Sequence, residues 1–147
     1  MDNTQTIITK NAKETQSVGE KLATSIVNDS SFPRIYCLYG ELGAGKTVFT
    51  QGFAKGLGFP SRLVSPTFII IRRYDLKNDV RFFYHVDLYR LQKIEDIESL
   101  GIFEIFDDKD AIIVIEWAER LGAHLPKHRM DVRLAISGDE ERVITYE

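Results

Sequence analysis

The spacing of hydrophobic residues predicts three helices. In the first, Val18, Leu22 and Ile26 recur every four residues, which places one apolar stripe on a helix over Ala12–Val27. The other two predicted helices are each followed by a glycine, which is typical of the end of a helix. These two helices are predicted over residues 46–55 and 94–100.

Short apolar or alternating runs predict the strands of a sheet. Ile35–Tyr39 and residues 111–115 are apolar throughout, which is typical of strands covered on both faces. Turn-forming residues separate two further pairs of runs. These pairs are residues 68–74 with 80–87, and Met130–Ile136 with Arg142–Tyr146. The whole pattern predicts an α/β fold with a mixed parallel and antiparallel sheet flanked by helices.

Length and composition limit the architecture and the cellular setting. The chain has 147 residues, 44% of them hydrophobic and 28% charged, and one domain over residues 1–147 is predicted. Cys37 is the single cysteine and lies in an apolar run, so we expect a buried small hydrophobic residue rather than part of a disulfide framework. The sequence shows no signal-peptide pattern and no apolar run of membrane-spanning length, and a cytoplasmic location without membrane contact is expected.

The charge of the chain limits the partners that it can bind directly. A net charge of −3 argues against a large basic face for nucleic acid. DNA is therefore not an expected partner, and contact with RNA is expected to be local or made through another protein.

A glycine-rich turn connects the first buried strand to the second predicted helix. Its residues match the phosphate-loop pattern G-x-x-x-x-G-K-[ST] at every position, as Gly40-Glu41-Leu42-Gly43-Ala44-Gly45-Lys46-Thr47. Glycines let the backbone curl so that successive N–H groups, with the positive end of the following helix, face phosphate oxygens. Lys46 is expected to contact the β- and γ-phosphates, and the Thr47 hydroxyl to bind Mg²⁺. The predicted fold is therefore similar to that of P-loop nucleoside triphosphatases.

A phosphate loop also needs a carboxylate at the end of a neighbouring buried strand, where it holds Mg²⁺ or orients water. Asp87 and Glu116 each follow an apolar run, and both are candidates for this position. His85 lies two residues before Asp87 and is expected to face the same way, either as a partner of that acid or as an ordinary strand histidine. Trp117 is predicted either to stack on the base or ribose of a nucleotide or to cap the core.

These motifs, taken together, resemble those of one family, the bacterial TsaE (YjeE) proteins. The phosphate loop is general, whereas the motifs after it are more specific and follow the family's order. They are Ser65-Pro66-Thr67-Phe68, His85-Val86-Asp87-Leu88-Tyr89-Arg90-Leu91, Leu100-Gly101-Ile102 and Ile115-Glu116-Trp117. Val48 is a departure, because many members have a second threonine there, but the metal role belongs to Thr47.

The resemblance implies an ATPase subunit of the system that makes threonylcarbamoyl-adenosine in tRNA, with ATP and Mg²⁺ as cofactors. In such systems TsaD, helped by TsaB, transfers the threonylcarbamoyl group, and the ATPase acts on that pair as a nucleotide switch. It would meet tRNA only through the complex. Lys46 would contact phosphate, Thr47 and Glu116 would carry Mg²⁺, and Asp87 would support the metal or its water. The segment Ser65-Pro66-Thr67 is expected to be a γ-phosphate-sensing loop.

A small-molecule kinase and a nucleotide-gated binding module without turnover are the alternatives. A kinase needs arginines that converge on the transferring phosphoryl group, often from a lid. The arginines after Glu116 are spread along the chain, at Arg120, Arg129, Arg133 and Arg142. Without the resemblance, the sequence favours neither ATPase nor kinase, and with it the ATPase is favoured.

Overall fold

The computed structural model describes residues 4–27, 29, 31–59, 70–75 and 82–147 of the chain. Over these residues the chain forms one mixed β-sheet with helices packed on both faces. The strands are β1 (Gln5–Thr9), β2 (Ile35–Tyr39), β3 (Ile71–Asp75), β4 (Phe82–Asp87), β5 (Ala111–Glu116), β6 (Met130–Ile136) and β7 (Arg142–Tyr146). The helices are α1 (Ala12–Val27), α2 (Lys46–Gly56), α3 (Ile94–Glu98) and α4 (Ile102–Phe106), and a 3₁₀ segment covers Ala118–His124.

The order of strands across the sheet is β1-β7-β6-β2-β5-β4-β3. The four central strands, β6, β2, β5 and β4, are parallel to one another. The outer pairs, β1 with β7, β7 with β6 and β3 with β4, are antiparallel. The predicted α/β class and its mixed sheet, parallel beside the glycine-rich turn, are therefore confirmed.

Most of the predicted elements agree with the structure. The predicted bounds of α1, β2, β6 and β7 are confirmed, and α2 and β5 each extend one residue beyond theirs. The predicted hairpin is confirmed by the antiparallel pairing of β3 with β4. Residues 68–69 and 80–81 of its predicted strands lie outside the described residues.

Other elements were not predicted, namely β1, α4 and the 3₁₀ segment, and α3 ends at Glu98 rather than at residue 100. All of them are short, so their sequences do not repeat a periodic pattern often enough to predict an element. The strand β1 forms because all five of its residues pair with the edge strand β7. The pairing runs from Gln5 opposite Tyr146 to Thr9 opposite Arg142. No helix in the described part of the chain is long and apolar enough to cross a membrane.

The sheet separates two apolar cores. Under α1 and α2, aromatic side chains such as Phe49, Phe53 and Tyr36 pack against the sheet. On the opposite face, β2, β4 and β5 pack against α3, α4 and the 3₁₀ segment. Cys37 lies in this second core, where burial raises the pKa of its thiol to about 12, so the expectation of a buried small residue is confirmed.

Close contact between α1 and α2 depends on glycines. A Cβ atom on Gly52 would overlap the backbone carbonyl oxygen of Gln16, and one on Gly56 would overlap that of Glu20. On the other helix, a Cβ atom on Gly19 would overlap the carbonyl oxygen of Phe49. The helix backbones can therefore approach more closely than helices with larger side chains at the crossing.

We expect Gly52→Ala to lower the free energy of unfolding by about 1–3 kcal/mol, because the new methyl group can be accommodated only if the two backbones move apart. Gly138→Ala is the matched control, since its Cβ atom would meet a side-chain atom of Glu141 at 3.3 Å rather than backbone. Urea unfolding followed by circular dichroism measures both. Equal stability of Gly52→Ala and wild type would contradict the close contact of the helices.

Candidate functional site

Three parallel strands end at the edge of the sheet that carries the glycine-rich turn. In their register, Leu38 of β2 lies opposite Glu116 of β5, and Glu116 lies opposite Asp87 of β4. Side chains alternate along a strand, and Val114, two residues before Glu116, packs in the core under α1 and α2. Glu116 and Asp87 therefore face the same side of the sheet as α2, next to the turn from which α2 begins.

The turn between β2 and α2 has the backbone geometry of an anion-binding loop. Gly43 and Gly45 have φ angles of 84° and 98°, in the left-handed region that glycine adopts without strain. Gly45 precedes α2, and Lys46 is the first residue of that helix. The N–H groups of the first turn of a helix have no partner within the helix, and the helix dipole favours an anion there.

Lys46 is buried at the base of this loop. Its ammonium donates hydrogen bonds to the carbonyl oxygens of Gly40 and Glu41, the second at 3.1 Å, and lies 4.1 Å from the centre of the Trp117 ring. Burial lowers the pKa of Lys46, while nearby carboxylates, Glu116 first among them, act in the opposite direction. An ammonium has three N–H donors, so one is still available to a phosphate oxygen after both carbonyl groups are satisfied.

Glu116 is the centre of the polar network at the strand ends. One of its carboxylate oxygens accepts a hydrogen bond from the Thr47 hydroxyl at 3.0 Å, and the other contacts Nε2 of the buried His85. An ionised carboxylate only accepts hydrogen bonds, so the His85 N–H is the donor in this pair. The His85 Nδ1 atom has no hydrogen-bond partner among the described residues. Both donors stabilise a buried carboxylate whose desolvation is costly.

Asp87 lies at the next strand end and is only partly buried. One of its carboxylate oxygens accepts a hydrogen bond from the Tyr89 backbone N–H at 3.0 Å. Burial raises the pKa of Asp87 and the negative charge of Glu116 adds to this, while the Tyr89 N–H acts in the opposite direction. A bound cation near both carboxylates would therefore favour the charged form of Asp87.

The donor set fits Mg²⁺ bound together with phosphate rather than a metal held by protein alone. The described residues contain no cluster of three or more His, Cys, Asp or Glu side chains that could hold a metal ion. Mg²⁺ usually takes one or two protein carboxylates and completes its shell with substrate phosphates and water. The Thr47 hydroxyl and the Glu116 carboxylate, in contact with each other beside the phosphate loop, would provide oxygen ligands of this kind.

Trp117 packs against the lysine of the loop. Besides covering the Lys46 ammonium, its ring lies 5.0 Å from that of Tyr89. Its backbone has a φ of 59°, the one left-handed non-glycine among the described residues, and this turns the chain sharply after Glu116. Arg120 follows, and its guanidinium donates to the Tyr89 carbonyl oxygen at 3.3 Å. Trp117 also packs against the second core, as the core-capping alternative predicts. Stacking of its ring on a base or ribose stays a prediction.

The predicted residues surround a cavity of about 440 Å³ over the phosphate loop. Its walls are residues 42–48 together with Ile70, Asp87, Tyr89, Arg90, Glu116 and Trp117. The side chain of Glu41 is exposed and is not among the residues that line this cavity; its carbonyl oxygen accepts from Lys46 instead. The predicted sensing loop, Ser65-Pro66-Thr67, lies outside the described residues.

One residue beside the loop had no signal in the sequence. Arg142, at the start of β7, donates a hydrogen bond to the carbonyl oxygen of Gly43 at 3.1 Å. These two residues are 99 positions apart, and no pattern around Arg142 indicates this contact, because it depends on the place of β7 in the sheet.

Comparisons with known proteins agree on one family. A family model described as threonylcarbamoyl adenosine biosynthesis protein TsaE matches residues 9–144. The TsaE protein of Bacillus subtilis is 38% identical over 138 residues, which are 94% of this chain and 82% of the relative. The TsaE protein of Borreliella burgdorferi is 43% identical over 97 residues, which are 66% of this chain and 69% of the relative. The crystal structure of Bacillus subtilis YdiB superposes with a TM-score of 0.77 at 34% identity, covering 99% of this chain and 86% of that one.

The matched region contains every element of the site. It begins at the last residue of β1 and continues beyond the start of β7, so it includes the phosphate loop, both strand-end carboxylates and Trp117. The agreement extends to the arrangement of helices and strands, as the superposition over 99% of the chain indicates. The P-loop fold, its site and the match over residues 9–144 lead to one conclusion: the chain belongs to the TsaE family of threonylcarbamoyl adenosine biosynthesis proteins.

Proposed function

We propose that this protein binds ATP with Mg²⁺ over its phosphate loop, hydrolyses the ATP slowly, and acts as a nucleotide switch on the TsaB–TsaD pair during threonylcarbamoyl-adenosine modification of tRNA. The observation that carries the proposal is the meeting of Lys46 and Thr47, from the start of α2, with Glu116, from the end of β5, at one edge of the sheet. Membership of the family supports the pathway, and the geometry of the site supports the nucleotide chemistry.

The residues around the loop have separate tasks in this proposal. Loop N–H groups and Lys46 bind the phosphates, and the charge of Lys46 stabilises the negative charge that develops during transfer. Mg²⁺, when bound, neutralises charge on the β- and γ-phosphates. Thr47 and Glu116 would hold it, and His85 keeps the Glu116 carboxylate turned toward Thr47. Asp87, whose carboxylate accepts one backbone hydrogen bond, would support the metal or orient its water.

Dependence on a partner is supported by the open rim of the cavity. Leu42 is 72% exposed and Tyr89 is 46% exposed, although both are large and line the cavity. Apolar side chains exposed around a binding site are typical of a surface that another protein covers. A partner seated there would exclude water and could add a positive charge beside the phosphates, and both changes accelerate phosphoryl transfer.

We expect Lys46→Ala and Thr47→Ala each to reduce ATP hydrolysis by about a hundredfold or more, because the first removes the fixed positive charge and the second a metal ligand. Lys55→Ala is the matched control, since Lys55 is an exposed lysine on the same helix. Isothermal titration with ATP–Mg²⁺ and phosphate release measure the effects, and circular dichroism checks the fold. Unchanged affinity and turnover in Lys46→Ala would contradict the assignment of the loop.

The two acids are expected to differ in what their removal changes. Glu116→Gln keeps the size of the side chain but removes its charge, so the Mg²⁺ dependence of nucleotide binding should weaken. Asp87→Asn should leave nucleotide binding unchanged and lower the rate of ATP hydrolysis by about a hundredfold. This is the lower end of the effect expected for a group that assists proton transfer. Mg²⁺ titrations of nucleotide affinity separate the two, with Glu95→Gln on α3 as control. Identical titrations for wild type and Glu116→Gln would count against the ligand role.

We expect slow hydrolysis by the protein alone, clear stimulation by the TsaB–TsaD pair and no phosphorylated small molecule. Phosphate release with and without the pair measures the rate of hydrolysis and its stimulation. A screen of metabolites for phosphoryl transfer tests whether a phosphorylated small molecule forms. Lys46→Ala in the presence of the pair is the control for contaminating ATPases. Fast turnover by the isolated protein with a phosphorylated acceptor would favour a kinase instead.

A further inference from the structure

Trp117 connects the lysine of the phosphate loop to the open part of the site. Its ring lies 4.1 Å from the Lys46 ammonium, and the residue lines the cavity over the loop. Trp117 is partly exposed, whereas Lys46 is only 5% exposed although it lines the same cavity. The indole ring therefore lies between the ammonium and part of the cavity. Trp117 is also the single tryptophan of the chain.

The contacts of the Lys46 ammonium account for all of its donors. Two N–H groups donate to carbonyl oxygens of the loop itself, those of Gly40 and Glu41. The third is the donor that a phosphate oxygen would need. The ammonium lies over the face of the Trp117 ring, and a cation within about 6 Å of a ring centre is attracted by the electron-rich face of the ring. The ring therefore competes with phosphate for the same donor.

The ring and a phosphate oxygen cannot both lie on the same side of the ammonium. A charged N–H donor and a charged oxygen are separated by about 2.8 Å between heavy atoms. The same oxygen needs about 3.5 Å to the carbon atoms of a ring. An oxygen between the two groups would hold them about 6 Å apart, whereas the Lys46 Nζ atom lies 4.1 Å from the centre of the Trp117 ring. A phosphate oxygen can bind this donor only after the ring has moved.

The backbone beside Trp117 is fixed, so the ring itself is the part that can move. Glu116 and Ala118, on either side of it, are both buried. Between them Trp117 has a φ of 59°, a conformation that costs free energy in a residue with a side chain and persists only where neighbouring contacts impose it. Rotation about the side-chain bonds of Trp117 turns the ring into the cavity, whose volume of about 440 Å³ can accommodate it.

Two residues at the rim of the cavity also contact the ring. The centre of the Tyr89 ring lies 5.0 Å from it, and the Arg120 guanidinium lies 5.7 Å from it. Arg120 donates to the Tyr89 carbonyl oxygen at 3.3 Å, and its Nε atom is buried without a hydrogen-bond partner among the residues that the structure describes. Because Tyr89 is one of the exposed residues of the rim, a change in the position of the Trp117 ring would alter the surface around the cavity.

We propose that Trp117 is a cap on the phosphate-binding lysine: its ring holds the Lys46 donor that a phosphate oxygen needs, and a phosphate that binds there displaces the ring. The inference rests on the proposed binding of ATP at the phosphate loop and deepens it. It assigns to Trp117 control over the affinity for phosphate. It also gives the nucleotide switch a physical basis, because occupation of Lys46 moves a ring that contacts Tyr89 at the rim.

Isothermal titration with tripolyphosphate–Mg²⁺ tests the cap without any contribution from a base or ribose. Trp117→Leu removes the aromatic face but keeps an apolar side chain, so the Lys46 donor is no longer held. We expect this variant to bind tripolyphosphate about fivefold more tightly than wild type, which corresponds to about 1 kcal/mol, a usual strength for a cation over a ring. Trp117→Phe, with a weaker ring face, should lie between the two. Phe103 belongs to the same core but packs on Phe106, so Phe103→Leu is the matched control and should change nothing.

A second measurement uses the wild-type protein, so it does not depend on the folding of a variant. Because Trp117 is the single tryptophan, quenching of its fluorescence by acrylamide reports the exposure of this ring alone. We expect quenching to become stronger as tripolyphosphate–Mg²⁺ is added, since a ring turned into the cavity is more exposed, and the midpoint should equal that of isothermal titration. Lys55→Ala, changed at an exposed lysine of α2, should respond as wild type does.

The outcomes of these experiments are distinct. Unchanged or weaker binding of tripolyphosphate by folded Trp117→Leu overturns the cap, and so does quenching that stays constant while the wild-type protein binds this probe. In either case, binding of ATP–Mg²⁺ by the wild-type protein leaves the proposed function in place. Failure of the wild-type protein to bind ATP–Mg²⁺ overturns the proposed function itself.

Discussion

The structure of this protein depends on one buried carboxylate, Glu116, and on the two donors that hold it. Thr47 comes from α2 and His85 from β4, so the carboxylate is satisfied only if β4, β5 and α2 keep their relative positions. A slip of β5 by one residue would turn Glu116 to the opposite face of the sheet. The hydrogen bonds around Glu116 therefore also constrain the register of the strands, because a buried carboxylate without hydrogen-bond donors costs free energy of folding.

The phosphate loop is positioned from both sides. On one side, the close glycine contacts between α1 and α2 fix the helix that begins at Lys46, and Thr15 of α1 packs next to Gly45. On the other, Arg142 ties the turn between β6 and β7 to Gly43. Since the loop backbone itself supplies the N–H groups for an anion, these distant contacts determine the geometry of the binding site.

Elements with long or distinctive local patterns could be predicted, and elements that depend on a neighbour could not. The sixteen residues of α1 and the alternating strand β6 repeat their periods often enough to be recognised. The edge strand β1 forms because it pairs with β7, which lies at the other end of the sequence. A local pattern does not show such a pairing. At the site, the sequence indicated both Asp87 and Glu116. Only the structure distinguishes the acid that contacts Thr47 from the one that accepts from the Tyr89 backbone.

The sequence by itself determined the phosphate loop and its chemistry, because eight consecutive residues encode both the backbone conformation and the lysine and hydroxyl groups. Tertiary structure decided everything that approaches the loop from elsewhere. It placed the Trp117 ring over the Lys46 ammonium and brought Arg142 to Gly43 across 99 positions. The physical reason is that these contacts follow from the order and register of strands in the sheet, which arise from pairing between distant segments rather than from any local pattern.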